Sequence, residues 1–329
     1  MTTHRALSCL IPPRESFAAA SGYAELAEEL GYDSVNCTHI AARDSFTVLA
    51  ALAMRTERIS LGTAVAPIYH RSPASMAQTA ATLDELSAGR FRLGLGVGHR
   101  VTMGGWHGQE IGPPVAEMRE YLGIVRAILA GEPPPDGRRW RSTFAFIGLT
   151  PRADLPIYLA GLSPAMLRLA GEVADGVILW ACPSQYVREV VVPEVTRGRQ
   201  TAGKGLDGFT IMAAVPAAVG GDRGTVLDGV RSELHRYFGL PFYRAMFDAA
   251  GFGRDLAAYD AAAPDVEAQK KAIGEEFIEA LCALGDEREV QAGIERYRAA
   301  GATDPLVSAV SGSDFAATLR AAAAVGLTS

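Results

Sequence analysis

Residues 58–97 read RISLGTAVAPIYHRSPASMAQTAATLDELSAGRFRLGLGV, and this stretch indicates the fold class. It contains a β-type run, a helix-type stretch and a second β-type run, in that order (58–66, 72–89 and 90–97). Ser72 followed by Pro73 is typical of a helix N-cap with proline at the first helical position. A strand–helix–strand sequence of this kind predicts two parallel strands joined by a crossover helix.

The same alternation extends along the chain in both directions. Further helix-type stretches include 17–31, 45–56, 115–131, 164–174 and 313–326. The β-type runs are 6–11, 33–38, 58–66, 90–97, 156–161, 175–180, 209–217 and 304–310. Continuous apolar strands that alternate with helices indicate a parallel sheet buried on both faces. Because eight such units close naturally into a barrel, we predict an α/β fold, a (β/α)₈ TIM barrel.

Two segments depart from this rhythm. Residues 131–156 are rich in Pro, Gly and Arg, and we expect a hairpin or a lid there, before the fifth strand. Residues 220–303 are far longer than one crossover helix and are predicted to form several helices. A separate helical domain is the alternative, but no linker-like composition bounds the segment. We therefore expect one barrel domain over 1–329, with a helical insertion between strands 7 and 8.

Composition limits the possible classes of protein. Of the 329 residues, 49% are hydrophobic and 21% charged, which favours a soluble globular protein. The net charge of −6 gives no support for binding nucleic acid or anionic membranes. No apolar run reaches the roughly 18–20 residues that cross a bilayer. The N-terminal residues do not resemble a secretory signal, so we expect a cytoplasmic protein. The four cysteines are widely spaced, which favours buried thiols over disulfides or zinc ligands; Cys182 alone could face a pocket.

Two histidines follow predicted strands at the end of the barrel where active sites lie. His39 comes after the second strand and His99 after the fourth. An imidazole at such a position is suited to acid–base catalysis. No histidine pair has the spacing of metal ligands, and no nucleophile elbow is present, so we expect neither a metal site nor a nucleophilic triad.

Two glycine-containing motifs also lie at strand ends. GLGVG, 94–98, lacks the spacing and the following helix of a dinucleotide fingerprint. Its glycines have two possible roles: close packing in the barrel mouth, or approach of the backbone to a flat cofactor ring. AGLSP, 160–164, makes Ser163 a helix N-cap, and a helix start of this kind can also bind an anion.

These residues resemble a known family. The block 61–99 closely resembles the signature between the third and fourth strands of luciferase-like proteins, above all the branch that uses the deazaflavin coenzyme F-420 (F420). The stretches 56–63, 155–180 and 285–310 fit the same family. The resemblance spans nearly the whole chain, and it implies a barrel that is usually a homodimer.

The resemblance also implies where the cofactor binds. The third strand of such relatives ends in a bulge with a non-proline cis peptide that supports the deazaflavin ring, and the matching bond here is Ala64–Val65. The phosphate is held after the fifth strand. The cofactor-binding residues implied are Ala64, Val65, Ala66, Val97, Gly98, His99, Ala160, Gly161, Leu162 and Ser163.

His39 matches the histidine that acts on the substrate's proton in relatives such as the glucose-6-phosphate dehydrogenase of this family. Two departures weaken the match: Thr38 stands where Asp is common, and a proton-donating Glu of some relatives has no counterpart. The loop after the fourth strand offers His99 and Arg100 instead. We expect His39 to handle the proton, and His99 to polarise the substrate or contact the cofactor.

The leading hypothesis is hydride transfer between F-420 and a small organic substrate. Three alternatives stay open: an FMN-dependent monooxygenase supplied with reduced flavin by a partner, an isomerase or aldolase acting on a phosphorylated sugar, and a binding protein without activity. The sugar enzyme predicts a Lys or Glu at a strand end, which we do not find. The substrate pocket is expected among 100–113, 131–156 and 220–303. Aromatic residues there could face it or simply pack: Trp106, Trp140, Tyr237, Phe242 and Tyr243.

Overall fold

The computed structural model describes residues 5–324, so His4 and the end of the last predicted helix lie outside the described residues. Ten strands are present. They are β1 Ser8–Leu10, β2 Ser34–Cys37, β3 Ser60–Thr63, β4 Ala66–Pro67, β5 Phe91–Gly96, β6 Ile157–Ala160, β7 Gly176–Leu179, β8 Thr210–Val219, β9 Ala283–Gly285 and β10 Asp304–Ala309.

Helices follow almost every strand. The first eight are α1 Phe17–Glu29, α2 Ser45–Ala53, α3 Pro73–Leu86, α4 Arg100–His107, α5 Pro114–Ala130, α6 Pro164–Val173, α7 Ser184–Tyr186 and α8 Val192–Thr201, with a π-helical turn, Val187–Val191, between the last two. The others are α9 Arg223–Phe238, α10 Pro241–Ala249, α11 Gly253–Ala261, α12 Val266–Lys271, α13 Glu275–Leu281, α14 Glu287–Ala299 and α15 Phe315–Ala323. No helix within 5–324 has both the length and the apolar character needed to span a bilayer.

Eight parallel strands close the barrel, which confirms the predicted fold class. The order is β1, β2, β3, β5, β6, β7, β8 and β10, and β10 pairs with both β8 and β1. The other two strands are short extensions. β4 continues the pairing along β5 beyond the end of β3, and β9 pairs with the end of β8. The third predicted strand, 58–66, is therefore not continuous: it breaks at 64–65.

The insertion lies where the sequence predicts it. Between the seventh and eighth barrel strands, β8 and β10, the chain forms α9 to α13, then β9, then the crossover helix α14. Phe277 makes edge-on contacts with Phe238, Phe247 and Phe252, with ring centroids 4.8–5.1 Å apart. One continuous hydrophobic cluster contains these rings and the residues between the barrel and its outer helices.

The segment before the fifth barrel strand differs from the predicted hairpin. No residue of 132–156 belongs to a strand, so of the two alternatives the hairpin is wrong, and the lid stays a prediction. The segment lies instead along α5. The backbone N–H of Trp140 donates to Glu120 at 2.7 Å, and its indole ring meets Tyr121 edge-on at 5.1 Å.

The barrel interior is filled by side chains. Its N-terminal end holds a polar network in which Asp304 accepts a hydrogen bond from Ser8 at 3.0 Å and lies 3.9 Å from Arg92. Above it an apolar layer consists of Leu10, Tyr158, Ile178, Met212, Ala214 and Leu306. Because Val65 and Trp180 pack on this layer from the C-terminal side, a ligand is confined to the barrel mouth above them.

Candidate active site

The break in the third barrel strand lies at the barrel mouth. β3 ends at Thr63, Ala64 still donates to the carbonyl of Cys37 at 2.9 Å, and pairing with β5 resumes at Ala66. The peptide bond between Ala64 and Val65 is cis. The hydroxyl of Thr63 donates to the carbonyl of Gly94 at 2.8 Å and accepts from its N–H at 2.9 Å. These bonds hold the break against β5, so that Val65 lies on the inner layer of the barrel.

Two glycines of the GLGVG motif allow this arrangement. A Cβ on Gly94 would lie 1.9 Å from the carbonyl oxygen of Thr63. A Cβ on Gly96 would lie 2.6 Å from Cγ2 of Val65 and 3.4 Å from Cβ of Ala160. At distances of 1.9 and 2.6 Å, a Cβ at either position would clash with its neighbour. The close-packing role of these glycines is therefore confirmed. Gly94 leaves room for the carbonyl of Thr63 and Gly96 for the side chain of Val65, and we call this arrangement the seat of Val65.

A glycine turn follows β5. Gly98 has φ +68°, and a Cβ there would approach the side chain of Met103 within 3.1 Å. The turn brings Val97 and His99 to the barrel mouth, since they directly follow the end of the strand at Gly96. The left-handed backbone favours glycine at position 98, and a side chain there would also displace Met103 slightly.

The start of α6 supplies backbone N–H groups at the same face. Ser163 is the N-cap, as predicted, and its hydroxyl accepts from the N–H of Met166 at 3.3 Å. The N–H of Gly161 donates to the carbonyl of Ile178 at 3.4 Å, so it belongs to the sheet. The carbonyl of Leu162 accepts from the Tyr186 hydroxyl at 2.8 Å. The amides suited to an anion are thus those that follow Gly161.

Hydrogen bonds fix the tautomer of His39. Its Nδ1 lies 3.3 Å from the backbone N–H of Ser45, which donates to it, and 2.9 Å from Oγ of the same serine. Because Nδ1 accepts from a main-chain donor, the proton of the neutral imidazole is on Nε2. Burial lowers the pKa of His39, an effect partly opposed by Asp44, whose carboxylate lies 3.7 Å away. His39 therefore presents an N–H donor.

Two further histidines adjoin His39. The ring centroid of His70 lies 5.3 Å from that of His39 and 4.1 Å from that of His107. Burial, followed by the influence of His107, lowers the pKa of His70 to about 4. Arg71 donates to Asp44 at 2.9 Å and completes the group. The sequence analysis gave no role to these two histidines, which come from the β4–α3 connection and the end of α4.

His99 lies on a different side of the mouth, against the insertion. Its ring is 5.8 Å from that of Tyr243, which in turn is 4.7 Å from Tyr237. Arg236 donates to the Tyr237 hydroxyl at 2.9 Å. Burial is the main cause that lowers the pKa of His99, and the positive charge of Arg236 adds to it. No ring contact or hydrogen bond joins His99 to His39 among the described residues.

Trp180 lies between the inner barrel layer and the insertion. It follows β7, packs on the apolar layer of the barrel and lies 6.2 Å from the ring of Tyr237. Its buried indole N–H lies beside the Tyr237 hydroxyl, and hydrogen bonding from it acts to lower the pKa of that hydroxyl, against the larger effect of burial, which raises it.

The other candidate side chains divide into two groups. Tyr237 and Tyr243 are buried at the mouth, whereas Phe242 and Trp106 are 60% and 55% exposed. All four cysteines are buried and free, and burial raises the pKa of the Cys182 thiol, so it is not an activated nucleophile. Among residues 5–324, no cluster of His, Cys, Asp or Glu side chains is arranged to hold a metal ion.

Sequence reasoning missed the side chains that surround the two predicted histidines. Asp44 caps α2 by accepting from the N–H of Thr47 at 2.9 Å, and Ser45 follows it. An aspartate directly before the helix-type stretch 45–56 is typical of an N-cap, so the sequence could have indicated the position of Asp44. By contrast, Arg236 comes from the insertion, and nothing in its spacing from His99 indicates that the two would meet.

Comparisons with known proteins agree with this architecture. A family model described as luciferase-like monooxygenase matches residues 2–304. The chain is 35% identical over 216 residues to 5,10-methylenetetrahydromethanopterin reductase of Archaeoglobus fulgidus, which covers 64% of this chain and 63% of that protein. It is 32% identical over 227 residues to F420-dependent glucose-6-phosphate dehydrogenase of Nocardia farcinica, covering 63% of this chain and 67% of that one.

A solved structure shares the whole fold. The coenzyme F420-dependent tetrahydromethanopterin reductase of Methanopyrus kandleri superposes with a TM-score of 0.80 at 23% identity, and the match covers 98% of each chain. The similarity therefore includes the insertion as well as the barrel.

Proposed function

Because the chain belongs to the luciferase-like monooxygenase family, we propose that it is an oxidoreductase that transfers a hydride between coenzyme F-420 and a small organic substrate. The relative from Nocardia farcinica, named as F420-dependent, supports the choice of cofactor. The observation that carries the proposal is the seat of Val65: an apolar platform at the barrel mouth, held on Gly96, with the α6 start and two histidines around it.

The residues at the mouth fit such a cofactor. Ala64, Val65 and Ala66 would support the flat ring, and Val97, Gly98 and His99 would line its edge. Ala160, Gly161, Leu162 and Ser163 would border the phosphate, whose oxygens would be bound by the amides after Gly161.

The bound deazaflavin would supply a carbon that accepts or donates a hydride. The protein's part is to orient the substrate, exclude water and move one proton. His39 would do the last, since Ser45 holds its Nδ1 and leaves Nε2 as the nitrogen that exchanges a proton with a ligand. His99 would contact the substrate or the ring from the side of the insertion. Tyr237 and Tyr243, both buried, would close that side against water.

The second candidate is an FMN-dependent monooxygenase supplied with reduced flavin by a partner reductase. The family's own description favours it. Both candidates use the same mouth, and they differ in the ring that binds there and in the reaction with oxygen. A monooxygenase would need a flavin that reacts with oxygen, whereas a deazaflavin reacts with it poorly.

Cofactor binding tests the proposal directly. The purified protein is titrated with F-420 and, separately, with FMN, and binding is followed by quenching of cofactor fluorescence. We expect F-420 to bind at least tenfold more tightly than FMN. We also expect turnover in one direction: an alcohol of a substrate panel reduces oxidised F-420, or an enone or imine oxidises reduced F-420. Tight FMN binding without affinity for F-420 would favour the monooxygenase.

The assembly and location expected from the sequence remain part of the same proposal. We expect a homodimer, which light scattering of the purified protein checks by its mass, and a cytoplasmic location, which cell fractionation checks. A monomer at micromolar concentration would contradict the first expectation. Activity confined to a membrane or secreted fraction would contradict the second.

A further inference from the structure

The arginines of α9 differ in their partners. Arg223, at the start of the helix, donates to Glu275 at 3.0 Å. Arg236, near its end, forms no ion pair with an acid among the described residues and donates instead to the Tyr237 hydroxyl at 2.9 Å. Its guanidinium lies 4.9 Å from the centroid of the Tyr237 ring, and the residue is exposed. Because a guanidinium has five N–H donors, most of those of Arg236 are left for a ligand.

The end of α9 lies at the barrel mouth. The ring of Tyr237 is 6.2 Å from that of Trp180, which packs on the inner apolar layer of the barrel. Tyr243 is 4.7 Å from Tyr237 and contacts the ring of His99 at 5.8 Å. An anion bound to Arg236 would therefore lie at the mouth, on the side of the insertion.

The Tyr237 hydroxyl has a proton to donate to the same ligand. Its oxygen accepts from Arg236, and the buried indole N–H of Trp180 lies beside it. Both neighbours can only donate, so the phenolic proton must point to a third group. Within 5–324, this hydroxyl donates to no acceptor. Burial raises the pKa of Tyr237, so its hydroxyl stays protonated and remains a donor.

We propose that Arg236 and Tyr237 form a subsite for a carboxylate group of the substrate. The inference rests on the proposed function and narrows its small organic substrate to an acid, for example a hydroxy acid, a keto acid or an unsaturated acid. A guanidinium N–H and the neighbouring phenolic O–H present two donors side by side, which matches the two oxygens of a carboxylate. The carboxylate would hold the substrate on the insertion side, so that its reacting carbon faces the ring above Val65.

The charged and titratable groups around the subsite favour an anion. Glu233, one turn earlier on α9, is half-buried, and burial raises its pKa, which disfavours its charged form. In the part of the chain that the structure describes, it forms no ion pair with Arg236. The positive charges of Arg236 and Arg14 both act on Glu233. Burial and the charge of Arg236 lower the pKa of His99, so it is neutral at pH 7 and adds no charge.

Binding of unreactive acids tests the subsite without turnover. The protein loaded with F-420 is titrated by calorimetry with acetate, butyrate and benzoate, and with the neutral amide of each. We expect at least one acid to bind about tenfold or more tightly than its amide, because a hydrogen bond to a charged group is stronger than one to a neutral group. Arg236→Gln is expected to remove this difference, and Tyr237→Phe to reduce it. For an acid that is turned over, Arg236→Gln should raise KM more than it lowers kcat.

Two matched variants of the insertion serve as controls. Arg254→Gln removes an exposed arginine of α11 that, among residues 5–324, also forms no ion pair. Tyr259→Phe removes a hydroxyl that already has an acceptor, the carbonyl of His235 at 3.1 Å. Both variants are expected to keep the preference for acids over amides.

The outcomes separate the subsite from the cofactor and from the proposed function. If no acid binds more tightly than its amide, or if Arg236→Gln keeps the preference, the subsite is overturned. If Arg236→Gln weakens F-420 binding and leaves the acids unaffected, Arg236 binds the cofactor's phosphate, and the substrate assignment is overturned. If F-420 does not bind to the unsubstituted protein, the proposed function fails, and titration of the protein alone decides the subsite. Should Tyr237→Phe not fold, Arg236→Gln decides, since Arg236 is exposed.

Discussion

Replacing Gly96 by alanine tests whether the seat of Val65 supports the cofactor. The new Cβ would lie 2.6 Å from Cγ2 of Val65, whereas carbon atoms in contact are about 3.5–4.0 Å apart, so the Val65 side chain must move by about 1 Å. Overpacking of this kind costs about 1–3 kcal/mol. A displacement of about 1 Å would raise the platform towards the ring, and we expect the dissociation constant of F-420 to increase by about tenfold or more.

The assay is a fluorescence titration with F-420, combined with thermal unfolding. Gly123→Ala is the matched control, because a Cβ on Gly123 would meet nothing closer than 3.9 Å. The double variant Gly96→Ala, Val65→Ala removes the atom that clashes and is expected to recover part of the affinity. If folded Gly96→Ala binds F-420 as tightly as the unsubstituted protein, the cofactor does not rest on Val65, and the reasoning is refuted.

Three other predictions concern the mechanism and the fold. His39→Asn is expected to lower kcat by roughly 10²–10⁴-fold while F-420 affinity stays within about twofold, and an equal loss of both would contradict a role in proton transfer. Burial raises the pKa of Asp304 to about 7, above its usual 3.8, so the folded protein binds this proton more readily than the unfolded chain does. The free energy of unfolding should therefore fall as pH rises from about 4 to 7. Urea unfolding should show that Asp304→Asn removes this pH dependence. Arg152→Ala is expected to cost about 1–3 kcal/mol in the same measurement, because it leaves buried Asp84 without its paired cation, and an unchanged midpoint would contradict this.

The barrel could be predicted from the sequence because its signals are local. Each strand is a short, largely apolar run, and helix starts are marked by residues such as Ser72 and Ser163, both of which occupy the predicted N-cap positions. The break at 64–65 could not be predicted from periodicity, because nothing in the run from 58 to 66, RISLGTAVA, marks an interruption. It depends on the absence of a Cβ at Gly94 and Gly96, which lie 30 residues away.

The candidate site was only partly predictable for a related reason. His39 and His99 could be chosen because strand ends of a barrel meet at one face. Their partners depend on tertiary packing: the ring of His70 contacts His39 from the β4–α3 connection, and the ring of Tyr243 contacts His99 from the insertion. Of the hairpin or lid expected within 131–156, the hairpin did not form, because the backbone N–H and the ring of Trp140 bind to α5 and the segment has no paired strands.

A crystal structure of the protein soaked with F-420 would locate the cofactor. We expect density for a three-ring system resting on Val65, within reach of His39 Nε2, and a phosphate within hydrogen-bond distance of the backbone amides of Leu162 or Ser163. Density for the ring at any other place, or a fully occupied ring that contacts neither Val65 nor His39, would contradict this expectation.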